Sequence, residues 1–154
     1  MSETIFRGAH DDELTQIVAL LADDALGSGR EDVGPPMNPR YAEAFAAIQR
    51  DPNQLLAVAD RDGVIIGCMQ VSFIPGLSRT GMWRGQIESV RVAASHRGGG
   101  TGRQFFEWAI EECRKRGCGL LQLTSDKSRP EAIRFYDGLG FTASHEGLKL
   151  PLDP

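Results

Sequence analysis

Apolar positions recur with helical spacing in four stretches and follow strand patterns between them. After a short apolar start around Ile5, Leu14, Ile17, Val18, Leu20 and Leu21 fall on one helical face, with Asp11 and Asp12 ahead as capping candidates. The pattern predicts a strand, then a helix that stops near Leu26. Residues 27–39 hold three Gly and three Pro with few apolar side chains, which reads as a loop. Tyr41, Phe45 and Ile48 then mark a second helix.

From Gln54 the period changes. Residues 55–59 and 64–73 are β-rich runs joined through Asp62 and Gly63, the signature of an antiparallel hairpin. A turn at Pro75 and Gly76 leads into a third long strand over residues 82–92. Strict alternation would place Ile87, Ser89 and Arg91 on one face and Glu88, Val90 and Val92 on the other. Beyond residues 97–102, Phe105, Phe106, Ala109, Ile110 and Cys113 form the apolar stripe of a helix that ends in Arg114, Lys115 and Arg116. Residues 120–124 read as a short buried strand. Ser128 with Glu131 gives a capping-box pattern for a last helix through Leu139, and residues 141–150 return as strand. A strand-helix-strand order implies parallel pairing around the Phe105 helix.

At 154 residues, with 41% hydrophobic and 25% charged side chains, the chain reads as one globular domain over 1–154. Cys68, Cys113 and Cys118 form neither a paired framework nor a zinc pattern, which fits a reducing compartment. His10, His96 and His145 lack metal-ligand spacing, so no metal is expected. Residues 1–7 lack a targeting pattern and no membrane span is present, so the expected location is cytoplasmic. A net charge of −4 argues against a nucleic-acid partner.

The chemistry concentrates in His96-Arg97-Gly98-Gly99-Gly100-Thr101-Gly102-Arg103, a glycine-rich turn between strand and helix. Glycines allow amide N–H groups to converge without a Cβ in the way, the helix start adds partial positive charge, and Arg97 and Arg103 add more. The fitting guest is a diphosphate. A Walker loop would need Gly-Lys-Ser/Thr and a dinucleotide fold would need a downstream acidic residue; neither is present.

Arg97-Gly98-Gly99-Gly100-Thr101-Gly102 resembles the Arg/Gln-x-x-Gly-x-Gly/Ala phosphate motif of the GNAT superfamily of N-acetyltransferases. Ala132-Ile133-Arg134-Phe135-Tyr136, continuing to Gly140-Phe141, is similar to that family's second motif at the family's spacing. The resemblance is clear over residues 86–150. It implies a mixed α/β fold: a six- or seven-stranded, mostly antiparallel sheet, split centrally, with about four helices. It further implies that acetyl-coenzyme A is the cosubstrate. Gly98, Gly99, Gly100, Thr101, Gly102 and Arg103, with Arg97, would hold its diphosphate, and backbone groups near Val90 and Val92 its pantetheine arm and thioester. His96 is a further phosphate candidate.

Amine acetylation needs a neutral nucleophile, so Glu88 is the candidate base, with Glu31 and Asp32 as lesser options; each equally suits a solvated carboxylate. Tyr136 is the family-matched acid for the leaving thiolate, or else a core aromatic. A backbone N–H near Val92 would stabilise the oxyanion. Arg129 stands where the family often has Asn; it fits a cofactor contact or an exposed first turn. Trp83, with Met82 and the 27–39 loop, is the candidate acceptor pocket. The expected partner is a small-molecule or peptide amine, with a homodimer left open. The rival classes are an acyl-coenzyme A sensor without transfer and an interaction protein with a chance glycine turn.

Overall fold

The computed structural model describes residues 3–24 and 26–153. Five strands form one sheet in sequence order: β1 (Thr4–Gly8), β2 (Gln54–Arg61), β3 (Val64–Ile74), β4 (Arg84–Val92) and β5 (Leu120–Leu123). The first four pair antiparallel and β5 joins β4 in parallel. The chain is mixed α/β with a mostly antiparallel sheet, as the sequence implies, but with five strands among the described residues rather than six or seven. The difference lies at the end of the chain, where residues 141–150 form no strand.

Helices cover both faces. α1 (Leu14–Ala22) and α2 (Arg40–Arg50) close one face around Ile17, Leu20, Phe45, Val58 and Cys68. The other face receives α4 (Thr101–Lys115), whose buried Phe105, Phe106, Ala109 and Cys113 meet Ala57, Met69, Val71 and Ile87. Between β3 and β4, α3 (Ser78–Gly81) is a four-residue turn with Arg79 and Thr80 left-handed. α5 (Pro130–Gly138) follows β5 and lays Tyr136 against the α4 core.

Local chemistry explains the boundaries. Asp62 and Gly63 sit at φ 54° and 85°, the left-handed pair that a tight hairpin requires. Glu13, not Asp11 or Asp12, precedes α1, and its carboxylate accepts from His10 N (2.7 Å) and from Arg7 (2.7 and 2.9 Å). At α5 the capping box does not form. Ser128 turns its hydroxyl to Asp126 (2.7 Å), Arg129 takes the N-cap position, and Pro130 opens the helix without an N–H to satisfy.

The alternation expected along β4 fails at one place. The β3–β4 register shifts between Cys68 and Gln70, and Ser89 adopts φ 56°. One extra residue in β4 flips the parity beyond it. Ile87 and Val90 therefore share the α4-side core, and Val92 approaches Gly102 at the start of α4. Arg91 turns to the α1 side, where its Nε lies 2.8 Å from Asp24 Oδ2. That nitrogen is closed to solvent without hydrogen-bond alignment, so the contact is an ion pair only.

Candidate functional site

β4 and β5 pair from Arg84–Leu120 to Ile87–Leu123 and then part. β4 continues through Val92 with β3 as its sole described neighbour, so one backbone edge of residues 88–92 faces a cleft. The central split implied by the family resemblance is this divergence. It leads from the middle of the sheet to the start of α4.

At that start the glycine turn takes the form an anion site needs. Gly98 and Gly100 have φ 82° and 87°, conformations that side chains resist, and a Cβ on Gly98, Gly99 or Gly100 would meet only open space. No side chain caps α4, and the first amide to close a turn is Gln104 N, on Gly100 O at 3.0 Å. Within the described residues, the N–H groups of Gly100, Thr101, Gly102 and Arg103 find no protein acceptor. Four unsatisfied donors beside a helix's positive end constitute an oxyanion receptor.

The flanking side chains are otherwise engaged. Arg97 Nε donates to Val92 O (2.9 Å), which fastens the turn to the end of β4. Arg103 pairs with Glu107 at 3.1 Å. Thr101 is buried and Gly102 lies under Phe135. His96 Nδ1 is 2.9 Å from Ser95 Oγ.

Tyr136 sits half-buried where α5 crosses α4, its ring edge-on to Phe106 (5.4 Å), Phe135 (5.5 Å) and Phe141 (5.9 Å). These aromatics fix the ring's direction. Burial pushes the phenol above its ordinary pKa, while Arg129 and Arg91 pull it partly back. It therefore holds its proton at neutral pH. Tyr136 carries two readings from its sequence context, packing and chemistry, and the ring does pack. Phe135, at 38% exposed, is the more open of the pair.

Glu88 stands exposed on the α1 side of β4, opposite Gln70 of β3, and accepts from Gln86 Nε2 at 2.6 Å. Beside it lies a cavity of about 160 Å³ between α1, α2 and the sheet. Ile17, Leu21, Phe45 and Ile48 supply apolar lining; Tyr41, Gln70 and Ser89 supply polar groups. Tyr41 also organises the 27–39 loop, since its hydroxyl donates to Glu31 Oε1 and accepts from Asp32 N, both at 2.8 Å. Glu31 and Asp32 are thus tied to α2.

Asp24, at the end of α1, was not singled out by its sequence context. Burial pushes its carboxyl up, but the Gly27 N–H and Arg91 outweigh this and hold it below the usual value. Arg129 and Arg30 add to the same field, which draws the α1–α2 loop and the start of α5 into one neighbourhood.

Trp83 does not join this group. It precedes the first residue of β4, where its carbonyl accepts from Gly119 N at 2.8 Å and Met82 packs on Gly119. Nine strand steps, about 30 Å, separate it from Val92. Its side chain is exposed at the far end of the sheet. The cysteines are equally remote from nucleophilic chemistry: burial pushes the Cys68 and Cys113 thiols up to about 12. Among the described residues no cluster of metal ligands occurs and no helix is long and apolar enough to cross a membrane.

The sequence matches the Acetyltransferase (GNAT) family over residues 15–141. An aminoalkylphosphonate N-acetyltransferase from Salmonella typhimurium is 33% identical over 105 residues, covering 68% of each chain. A glucosamine 6-phosphate N-acetyltransferase from Trypanosoma brucei brucei is 36% identical over 91 residues, covering 58% of this chain and 59% of the relative. Among solved structures, one from Bacillus halodurans C-125 described as a transcriptional regulator superposes with a TM-score of 0.94 at 47% identity, covering 97% of this chain and all of the other.

Proposed function

The chain belongs to the GNAT acetyltransferase family, and on that premise we propose that it acetylates a small primary amine by direct attack on acetyl-coenzyme A. The observation that carries this reading is the row of unsatisfied amides from Gly100 to Arg103 at the end of the β4 cleft. They suit the diphosphate, with Gly98 and Gly99 leaving room for it. The free edge of β4 around Val90 and Val92 suits the pantetheine amides, and an N–H near Val92 the carbonyl oxygen as it gains charge. Arg129, at the α5 start, adds positive charge beside this path.

In the reaction the amine nitrogen bonds to the thioester carbon and the C–S bond then breaks. The nitrogen must first lose a proton, which Glu88 accepts directly or through water. The departing sulfur takes a proton from the Tyr136 hydroxyl, whose environment keeps it protonated. No covalent enzyme intermediate is required, in keeping with the buried thiols.

The acceptor pocket of this proposal is the cavity between α1 and α2, with Gln70, Ser89 and Tyr41 as its polar groups, rather than Trp83. Small amines are supported by the two curated relatives, whose named substrates are an aminoalkylphosphonate and an amino sugar phosphate. Thiol release from acetyl-coenzyme A across phosphonate-bearing amines, amino sugar phosphates and polyamines tests the reading. With the best amine, Tyr136→Phe should lower kcat about 100-fold with little change in cofactor affinity. Unchanged turnover would remove Tyr136 from the mechanism.

A second reading, an acyl-coenzyme A-binding regulator without transfer, draws on the description of the Bacillus halodurans structure. Binding of acetyl-coenzyme A with no thiol release for any amine would favour it.

A further inference from the structure

Three arginines from distant parts of the chain gather beside Asp24, although the chain as a whole carries a charge of −4. Arg91 comes from the end of β4, Arg129 precedes α5, and Arg30 lies in the loop between α1 and α2. All three act on the Asp24 carboxylate, and Arg129 and Arg30 act on Asp126 as well. Like charges drawn together from separate elements repel one another unless counter-charge is supplied.

The protein supplies too little of it. Arg91 has Asp24 at 2.8 Å, and the same carboxylate also accepts from Gly27 N–H. Asp126 is turned to Ser128, accepting from its hydroxyl at 2.7 Å and its N–H at 2.9 Å. Glu31 and Asp32, next to Arg30 in sequence, accept from Tyr41 and Asn38. Among the described residues the guanidinium groups of Arg30 and Arg129 form no ion pair, and both residues are exposed.

The cluster borders the acceptor cavity rather than the diphosphate cradle. Leu21 and Ser89 line that cavity, and Asp24 and Arg91 follow them by three and two residues. Arg91 and Arg129 also act on the Tyr136 phenol. Phe135, whose ring reaches Gly102 in the cradle, lies six residues further along the chain than Arg129, about 9 Å of helix.

On the footing of acetyl transfer to a small amine, we infer that the acceptor carries a phosphonate or phosphate group, gripped by Arg30 and Arg129 with Arg91 held beside them by Asp24. Planar guanidinium groups offer paired N–H donors to a tetrahedral oxyanion, and two of them match its double negative charge. The rest of such a molecule extends into the cavity beside Glu88.

Thiol release from acetyl-coenzyme A should be compared for 2-aminoethylphosphonate, phosphoethanolamine, β-alanine, ethanolamine and 1,3-diaminopropane. For the first two, kcat/KM should exceed that for ethanolamine at least ~100-fold, with β-alanine between. Arg30→Met and Arg129→Met should each cut this preference about 10-fold through KM for the anionic amine, and Arg30→Lys and Arg129→Lys should restore part of it. Equal rates for anionic and neutral amines, a preference for the diamine, or variants that keep the preference would overturn the inference while leaving acetyl transfer standing. So would an Arg30→Met variant that weakens acetyl-coenzyme A instead of the amine. Absence of thiol release with every amine would sink acetyl transfer. Calorimetry with ethylphosphonate, coenzyme A present, then decides the anion site by itself: the parent should bind it, and the double Met variant at least ~10-fold more weakly. A parent that does not bind it, or a double variant that binds it equally, would overturn the site.

Discussion

The two halves of the sheet treat their polar backbone in opposite ways. In β1 to β3 the strands pair along their lengths, and the interior on the α4 side is closed, with Phe105 fully buried against Phe6 at 5.1 Å. The polar ends there are matched too, since Arg7 bridges Glu13 and Asp60. In the β4–β5 half, pairing stops at Ile87, and among the described residues β5 has no outer neighbour and the amides opening α4 have no acceptor. One half satisfies itself and so holds the fold. The other keeps donors available for a guest while the paired half holds the fold.

That division can be broken from either side. Phe105→Ala should be the most damaging change, costing about 3–5 kcal/mol of stability in urea unfolding; a loss below about 1 kcal/mol would mean the closed half is not what holds the molecule. Gly100→Val should act the other way round. A branched side chain at φ 87° intrudes into the open cradle, so calorimetry should read acetyl-coenzyme A binding about 100-fold weaker, near 2.7 kcal/mol. Its melting temperature should fall far less than that of Phe105→Ala, and retained binding would discredit the cradle.

Glu13→Gln sharpens the contrast by weakening the closed half at one charge. The hydrogen bond from Arg7 holds the Glu13 carboxyl down, against the opposing effect of burial, from 4.5 to about 2. A lowered carboxylate pKa stabilises the fold above pH 4.5, and that contribution disappears as the pH falls towards 2. The variant should therefore lose about 2 kcal/mol near neutrality, and its stability curve should converge on the parent's in acid. Cofactor affinity should stay unchanged throughout.

What could be read from the sequence follows the same division. The hairpin at Asp62-Gly63, the stripe of α4 and the glycine turn each rest on contacts close in sequence, and each stands where the pattern puts it. The misreadings come from long-range effects. Ser89 has no glycine to announce its left-handed backbone, so the parity of β4 beyond it was inverted; the only trace is the odd spacing of Ile87, Val90 and Val92. Asp24 is held by the nearby Gly27 N–H and by Arg91, and Arg91 arrives from a distant strand. Trp83 shows that an aromatic near a strand start does not reveal which end of the sheet it occupies. Residues 141–150 carry a strand's alternation but pair with no strand among the described residues.

The engagement of Arg97 with Val92 O and of Arg103 with Glu107 bears on how the cradle would respond to ionic strength. Arg97 keeps its charge but is fixed at the rim, and Arg103 is offset by a carboxylate, so main-chain dipoles carry much of the pull on an anion there. Mobile salt screens exposed charges strongly and short-range dipolar contacts weakly. The grip on a diphosphate should therefore weaken less in concentrated electrolyte than that of a site held by side-chain cations alone.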